Sequence, residues 1–206
     1  MPRVQQISPI AAFLNAIVAV LTLIVALVLI GPAVMADRTL LVDLALHNPT
    51  PLIIQDGLKF VAAAIALVLI RALHIRLSSG APALINVATV SGLLSVSCLL
   101  ANAVLSLVAT SQAANFARGQ PELGNQMNGL IGTLAFAAIL ANGLWYLLMS
   151  WSALKSDRLP RRLSYLGLAM GGLSLLPPLA ILVLLLSIVW SAWLGAILLR
   201  SNVQAG

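Results

Sequence analysis

Residues 83–110 read ALINVATVSGLLSVSCLLANAVLSLVAT, and this stretch decides the fold. As a helix its 28 residues extend about 42 Å, enough to cross about 30 Å of hydrocarbon with some tilt. At 3.6 residues per turn, one face carries small or hydrogen-bonding side chains at Ser91, Ser95, Cys98, Asn102 and Ser106. Hydroxyls and amides need partners in hydrocarbon, and small side chains let backbones approach, so this face is predicted to contact other helices. We therefore expect the inner helix of a membrane bundle.

The composition places the whole chain in a membrane. Its mean hydropathy is +1.08, and 8% of its residues are charged, whereas soluble domains carry about 25%. The 206 residues suit one membrane domain spanning 1–206, without a separate soluble module. The lone Cys98 cannot form an internal disulfide or a CxxC redox pair, so redox chemistry and cofactors are not expected.

The apolar runs predict an all-α bundle of six transmembrane helices. The predicted spans are residues 11–34, 52–75, 83–110, 130–151, 160–176 and 178–200. The last two come from residues 163–199, a run without charge that would be about 55 Å long as one helix, so Pro177 and Pro178 are predicted to form a hairpin. For the first span a cleaved signal peptide is the alternative, because AVMA precedes Asp37. The apolar run is longer than a usual signal sequence, which favours a retained span.

The connections are predicted to differ in character. Residues 35–55 are too apolar for a solvated loop, so a short amphipathic helix is expected there, lying at the interface and capping the outer mouth of the bundle. RLSSGAP at 76–82 is predicted to be a tight turn, and the polar segment 111–129 a loop. Asp56 and Lys59, three residues apart near the start of the second span, are predicted to pair and to anchor that helix end.

Charge predicts the orientation. With a cytoplasmic N-terminus, the inner segments carry a net charge of +7 and the outer ones −1, which together give the +6 of the chain. Basic residues concentrate on the cytoplasmic side of membrane proteins, so both termini are predicted to be cytoplasmic. The inner bases are Arg3, Arg71, Arg76, Lys155, Arg158, Arg161, Arg162 and Arg200. A charge arranged in this way indicates membrane topology and not a nucleic-acid partner.

The last third of the chain carries a family resemblance. The stretch LAFAAILANGLWYLLMSWSALKSDRLPRRLSYLGLAMGGLSLL, residues 134–176, resembles the bacterial six-span membrane proteins grouped as the DUF4386-type domain of unknown function. The layout of Asp37, Asp43 and Asp56 is similar to that family's N-terminal half, although an acidic residue usual in its last span is absent here. The resemblance implies six helices in a bacterial inner membrane, and it implies no activity or catalytic residues.

The sequence bears on three classes of function, which are enzymes, transporters, and binding or accessory proteins. The metalloprotease, phosphate-loop and nucleophile-elbow motifs are absent, and His47 and His74 fall on opposite sides of the membrane, so an enzyme is not expected. Coupled transport is disfavoured because no ionisable group is predicted at the membrane midplane. We therefore expect a non-catalytic binding or accessory component of a membrane complex, holding a lipid-like or other apolar ligand. An uncoupled channel or small-solute facilitator is the alternative.

The predicted site residues follow from that interpretation. Ser95, Asn102, Asn142 and Trp145 are candidates for ligand binding, and no metal site is predicted. Helix packing is assigned to Ser91, Cys98, Ser106, Gly167 and Gly171, the last two forming a GxxxG motif. Trp151 is expected to lie at the interface as an anchor, and Trp190 and Trp193 in the last span are interpreted first as anchors and second as ligand-stacking groups. The expected partners are the lipid bilayer and either other membrane subunits or an apolar small molecule.

Overall fold

The computed structural model describes residues 2–78 and 82–203. It is all-α, with 93% of residues helical and no strand within the described ranges. The helices are α1 (Pro2–Ile24, continued as a π-helix over Val25–Ile30), α2 (Pro32–Ala36), α3 (Arg38–His47), α4 (Thr50–Leu77), α5 (Pro82–Ser111), α6 (Ala113–Gly119), α7 (Pro121–Ser156), α8 (Arg161–Leu173) and α9 (Ala180–Val203), with a 3-10 turn at Pro177–Leu179 before α9.

Five of the helical segments in the described ranges are long and apolar enough to cross a membrane. They are Ile7–Ile30, Thr50–Leu77, Pro82–Ser111, Pro121–Ser156 and Ala180–Arg200. They correspond to five of the six predicted spans, and the chain is a multi-pass membrane protein. The remaining predicted span, 160–176, holds only the 13 residues of α8, about 20 Å of helix, which is shorter than the hydrocarbon.

Local sequence explains where several helices begin and end. The first span ends at Gly31, whose φ of 90° is unfavourable for a residue with a Cβ. Asp37 caps α3, because its carboxylate accepts hydrogen bonds from Thr39 N at 2.8 Å and Thr39 Oγ1 at 2.7 Å. These bonds lower the pKa of Asp37. The short helix predicted between the first two spans is therefore confirmed as α3, and its position at the membrane interface stays a prediction.

The helix α5 forms one wall of the bundle and is not its inner helix, which corrects the prediction, because it has the smallest buried share of the five long helices and Val87, Val90 and Leu94 are exposed. The predicted contact of its polar face with other helices is confirmed. The helix packs between α4 and α7 and is antiparallel to both, since in the hydrogen bonds between the helices residue numbers rise along α5 as they fall along its neighbour. Ser91 Oγ donates to Ala141 O at 2.7 Å and Ser95 Oγ donates to Ala138 O at 2.8 Å, while the His74 ring is 2.8 Å from Thr89 Oγ1 of α5. Hydroxyls thus bond to carbonyls of the neighbouring helix, which satisfies them without water.

The first helix joins the bundle through α4 and α9. Asn15 Nδ2 of α1 donates to Ser191 Oγ of α9 at 2.8 Å, and the Phe13 ring lies against Gly195. Residue numbers rise along one helix as they fall along the other, so α1 and α9 are antiparallel. The N-terminal end of α1 and the C-terminal end of α9 therefore lie at the same end of the bundle.

The other end is covered by the short helices α3 and α6, and we call it the capped end. The π-helical end of the first span contacts α4 there, and α3 contacts α6. Arg38 donates to Asn125 Oδ1 of α7 at 2.9 Å. Both α4 and α7 therefore start at the capped end, and since α1 ends and α9 starts there as well, α7 and α9 run in the same direction.

The segment between α5 and α7 corrects a prediction. Residues 111–129 were expected to form a loop, but most of them are helical, in α6 and in the first turns of α7. Pro121 stands at the first position of α7 and Glu122 in its first turn, which are favourable places for both residue types. At 36 residues, α7 is about 54 Å long, so it projects beyond the hydrocarbon and its polar start needs no loop. The turn predicted at 76–82 falls partly on residues 79–81, outside the described residues.

Candidate ligand-binding cavity

A cavity of about 810 Å³ lies inside the bundle. Its walls come from α1, α4, α5, α7 and α9, and Leu41, Val42, Ala45, Phe116 and Ala117 of α3 and α6 line it toward the capped end. The volume falls within the range of roughly 300–1,000 Å³ that is usual for small-molecule sites. The predicted role of the α3 segment as a cap over the bundle mouth agrees with this position.

One end of the cavity is polar. Lys59 Nζ of α4 donates to Asp56 Oδ1 at 2.7 Å and to Asn102 Oδ1 of α5 at 2.8 Å. Asn102 Nδ2 in turn donates to Ile131 O of α7 at 2.8 Å. We call Asp56, Lys59 and Asn102 the polar cluster. It ties three helices together, and all three residues line the cavity.

The polar cluster is not fully satisfied within the described structure. Asp56 is 1% exposed, and its Oδ2 atom has no hydrogen-bond partner. Lys59 uses two bonds of the three that an ammonium can donate. A buried carboxylate oxygen without a donor is costly, because it has lost water and gained nothing in return. The polar cluster therefore offers one free acceptor and one free donor to a molecule in the cavity.

The other end of the cavity is aromatic. Trp145 and Tyr146 of α7 and Trp190 of α9 form a cluster with ring centroids 4.8, 5.1 and 6.2 Å apart, all packed edge to face. Trp145 and Trp190 are 5% and 2% exposed, and the indole nitrogen of each has no partner in the described ranges. Edge-to-face packing of three buried rings gives this end a mostly apolar wall that also carries two unpaired indole N–H donors.

The separation of the two ends can be read along α5. Asn102 belongs to the polar cluster, whereas Gly92 faces Trp145, where an added Cβ would lie 2.8 Å from the indole Cδ1. Ten residues of helix correspond to about 15 Å. Beyond the aromatic cluster the core continues with fully buried side chains that do not line the cavity, including Leu73, Leu77 and Met149. The cavity is thus closed at its aromatic end.

The four residues predicted to bind a ligand all line this cavity. Ser95 and Asn102 also hydrogen-bond to α7 carbonyls. Asn142 lies between the two ends, and its amide makes no hydrogen bond within the described part of the chain. Trp145 belongs to the aromatic cluster. The helical period of residues 83–110 therefore predicted the face of α5 that contacts α7, whereas ligand binding by these four residues stays a prediction.

The residues predicted to take part in helix packing lie on two helices, α5 and α8. Ser91 bonds to α7, Ser106 lines the cavity, and Cys98 is half-buried. Gly167 and Gly171 of α8 face α7. A Cβ on Gly171 would lie 2.5 Å from Leu147 Cγ and 2.7 Å from Gly143 O, and a Cβ on Gly167 would collide with Ser150 Oγ.

Three residues of the cavity were missed or misread in the sequence. The pairing of Asp56 with Lys59 is confirmed, but their role as an end anchor is wrong, because α4 begins at Thr50 and Asp56 lies two turns inside it, facing the cavity. Trp190 is buried and not an interfacial anchor, while Trp151 is exposed as expected, with Lys155 Nζ 5.8 Å from its ring. The sequence signal that could have identified the polar cluster is a pair of opposite charges, Asp56 and Lys59, three residues apart in an apolar helix.

The comparisons with known proteins identify no relative of this chain. Comparison of the chain with protein-family models, with curated proteins and with solved structures gives no match. Among the described residues there is also no group of three or more His, Cys, Asp or Glu side chains that could hold a metal ion.

Proposed function

We propose that this protein is a non-catalytic, six-crossing membrane protein that binds an apolar or amphiphilic small molecule in the cavity. The observation that carries the proposal is the cavity itself, with its unsatisfied polar cluster at one end and its closed aromatic cluster at the other. An ionisable pair inside a membrane helix is expensive to keep, and such groups usually mark a functional site. Docking onto a larger membrane complex stays a prediction from composition.

Helix direction supports six crossings. Because α7 and α9 both run away from the capped end, residues 157–179 must return to it. The return consists of α8, which is about 20 Å long, followed by residues 174–179. Leu175 N, Leu176 N and Leu179 N bond to carbonyls three residues earlier, at 3.2, 3.0 and 2.9 Å, so even this irregular stretch keeps backbone hydrogen bonds, as hydrocarbon requires.

The charge distribution supports a cytoplasmic location for both termini. The bases near the ends of α4, α7 and α9 gather at the end of the bundle opposite α3 and α6. By the positive-inside rule the capped end then faces outward. The resemblance to the DUF4386-type family agrees with this topology and with a bacterial inner membrane.

The closed aromatic end favours binding over conduction. A channel or facilitator needs a continuous polar path, and here the path from the capped end meets the rings of Trp145, Tyr146 and Trp190, then the buried aliphatic core. A molecule that enters among the polar side chains is held, and we therefore prefer a binding role to the uncoupled channel.

A cavity-filling variant tests the proposal. Ala66 lines the cavity midway along α4, whereas Ala64 of the same helix is exposed on the outer face. The wild type, Ala66→Phe and Ala64→Phe are purified in mild detergent, and their organic extracts are compared by mass spectrometry. We expect a compound that copurifies with the wild type and Ala64→Phe but not with Ala66→Phe. Extracts that are identical for all three proteins would contradict the proposal.

A further inference from the structure

We propose that the ligand is a neutral, lipid-like alcohol whose hydroxyl group bridges Asp56 and Lys59 while its apolar chain extends to the aromatic cluster. This inference rests on the proposed function, since it names the chemical class of the molecule that the cavity holds. It is carried by the two unused hydrogen-bonding positions of the polar cluster.

The first unused position is an acceptor. Asp56 Oδ1 already accepts from Lys59 Nζ at 2.7 Å, whereas Oδ2 is buried and has no donor among the described residues. The side chain of Asp56 is only 2% exposed, so bulk water does not compensate the missing bond. A ligand group that satisfies Oδ2 must carry an N–H or O–H.

The second unused position is a donor on the same ion pair. Lys59 Nζ donates to Asp56 and to Asn102, which leaves the third ammonium proton. A hydroxyl is a donor and an acceptor at once, so one hydroxyl can donate to Asp56 Oδ2 and accept from Lys59 Nζ. A group that only accepts, such as an ether, leaves Oδ2 unsatisfied.

Charge disfavours ionic headgroups. The carboxylate of Asp56 and the ammonium of Lys59 neutralise each other at 2.7 Å. An anionic head would meet the carboxylate, and a cationic head would meet the ammonium, each at close range in a poorly screened site. A neutral headgroup adds no further charge to the Asp56–Lys59 ion pair, which is already neutral overall, so it fits this site best.

The walls between the two ends suit a hydrocarbon chain. From the polar cluster to Trp145 the cavity extends about 15 Å, and most of its lining is aliphatic, with side chains such as Ala62, Ala66 and Leu99, while the Asn142 amide is a polar group between the two ends. The rings of the aromatic cluster close this end. A single chain in this space buries apolar surface along its whole length.

The test uses four probes that share one chain and differ in the head. They are 1-dodecanol, dodecyl methyl ether, dodecanoate and dodecylammonium. The protein is placed in phosphatidylcholine nanodiscs free of detergent, equilibrated with each probe and reisolated. Bound probe per protein is counted by mass spectrometry, after subtraction of the probe retained by empty nanodiscs.

Variants assign the binding to the polar cluster. Asp56→Asn removes the carboxylate with little change of shape, and Asp43→Asn is the matched control on an exposed side chain of α3. The double variant Asp56→Asn/Lys59→Met keeps the site neutral, which preserves the measurement if a lone Lys59 impairs folding. We expect the wild type and Asp43→Asn to bind dodecanol about tenfold more tightly than the ether. Asp56→Asn and the double variant should lose that preference.

The outcomes separate this inference from the proposed function. Equal retention of alcohol and ether by the wild type, or an unchanged preference in both Asp56 variants, would overturn the hydroxyl assignment while leaving a ligand cavity. A preference for dodecanoate or dodecylammonium would likewise overturn it, in favour of an ionic head. If no probe is retained above empty nanodiscs and Ala66→Phe changes nothing, the proposed function fails together with this inference.

Discussion

At the scale of single residues, the Asp56–Lys59 pair gives the cavity its polar character. Burying two charges costs several kcal/mol per ion, and their attraction only partly offsets that cost. Apolar side chains of the same volume would stabilise the bundle at least as well. The pair is therefore best explained by what it contacts, which is the inside of the cavity and the amide of Asn102.

The burial of the Asp56–Lys59 pair leads to a prediction about the free energy of unfolding. Lys59→Met leaves the Asp56 carboxylate buried without its ion-pair partner, so the free energy of unfolding should fall by about 3 kcal/mol. The double variant Asp56→Asn/Lys59→Met should return to within about 1 kcal/mol of the wild type, because no uncompensated charge is left. Reversible unfolding by sodium dodecyl sulfate in bicelles measures both values. A double variant less stable than Lys59→Met would refute the role of the unpaired charge.

Part of the site could be predicted from single residues and part could not. The helical period predicted that Ser95 and Asn102 share the face of α5 that contacts other helices. Both residues line the cavity in the structure. The depth of Asp56 could not be predicted, because it depends on α4 starting at Thr50 and on the rotation of α4 toward α5. The burial of Trp190 could not be predicted either, because Trp190 stands near the middle of α9 and is covered by Trp145 and Tyr146 of α7, a contact that depends on how the two helices pack.

At the scale of helices, α8 is the unusual element. It is too short to cross the membrane alone, and it lies close to α7 because glycines stand at the contact. A Cβ on Gly171 would lie 2.7 Å from the backbone oxygen of Gly143. Backbone cannot yield as a flexible side chain can, so this contact fixes how near the two helices come.

Neighbouring glycines of α8 provide a matched test. Gly171→Ala should destabilise the protein by about 1–3 kcal/mol, since the new methyl collides with α7. Gly172→Ala, one residue along the same helix, meets no atom within 4 Å and should be neutral or stabilising by up to about 1 kcal/mol. Thermal unfolding of both variants in the same lipid gives the comparison. Equal losses in the two would show that helix propensity and not packing is responsible.

Element boundaries show what the sequence could supply at this scale. Apolar runs located five long helices, and the proline pair marked the break before α9. Sequence polarity does not predict α6 or the start of α7, because a polar segment beside a membrane can form either a loop or a helix. Polarity predicts that Asn125 and its neighbours lie outside hydrocarbon, but it does not decide between helix and loop.

At the scale of the whole molecule, the proposed crossing through residues 157–179 rests on the parallel direction of α7 and α9. Reporter fusions test it. A green fluorescent protein fused after Asp157 or after Gly206 should fluoresce in the cytoplasm, and alkaline phosphatase fused after Leu179 should be active outside it. An active phosphatase fused after Gly206 would mean an odd number of crossings and would exclude the proposed topology.

The central claim is that a ligand occupies the cavity. A structure determined from crystals grown in phosphatidylcholine bicelles, without added neutral lipid, tests this claim most directly. The account predicts continuous non-protein density over the roughly 15 Å of cavity between the polar cluster and Trp145. One atom of that density should lie within hydrogen-bonding distance of both Asp56 Oδ2 and Lys59 Nζ. A cavity filled by its own side chains, or one that holds only separate water molecules, would contradict the account.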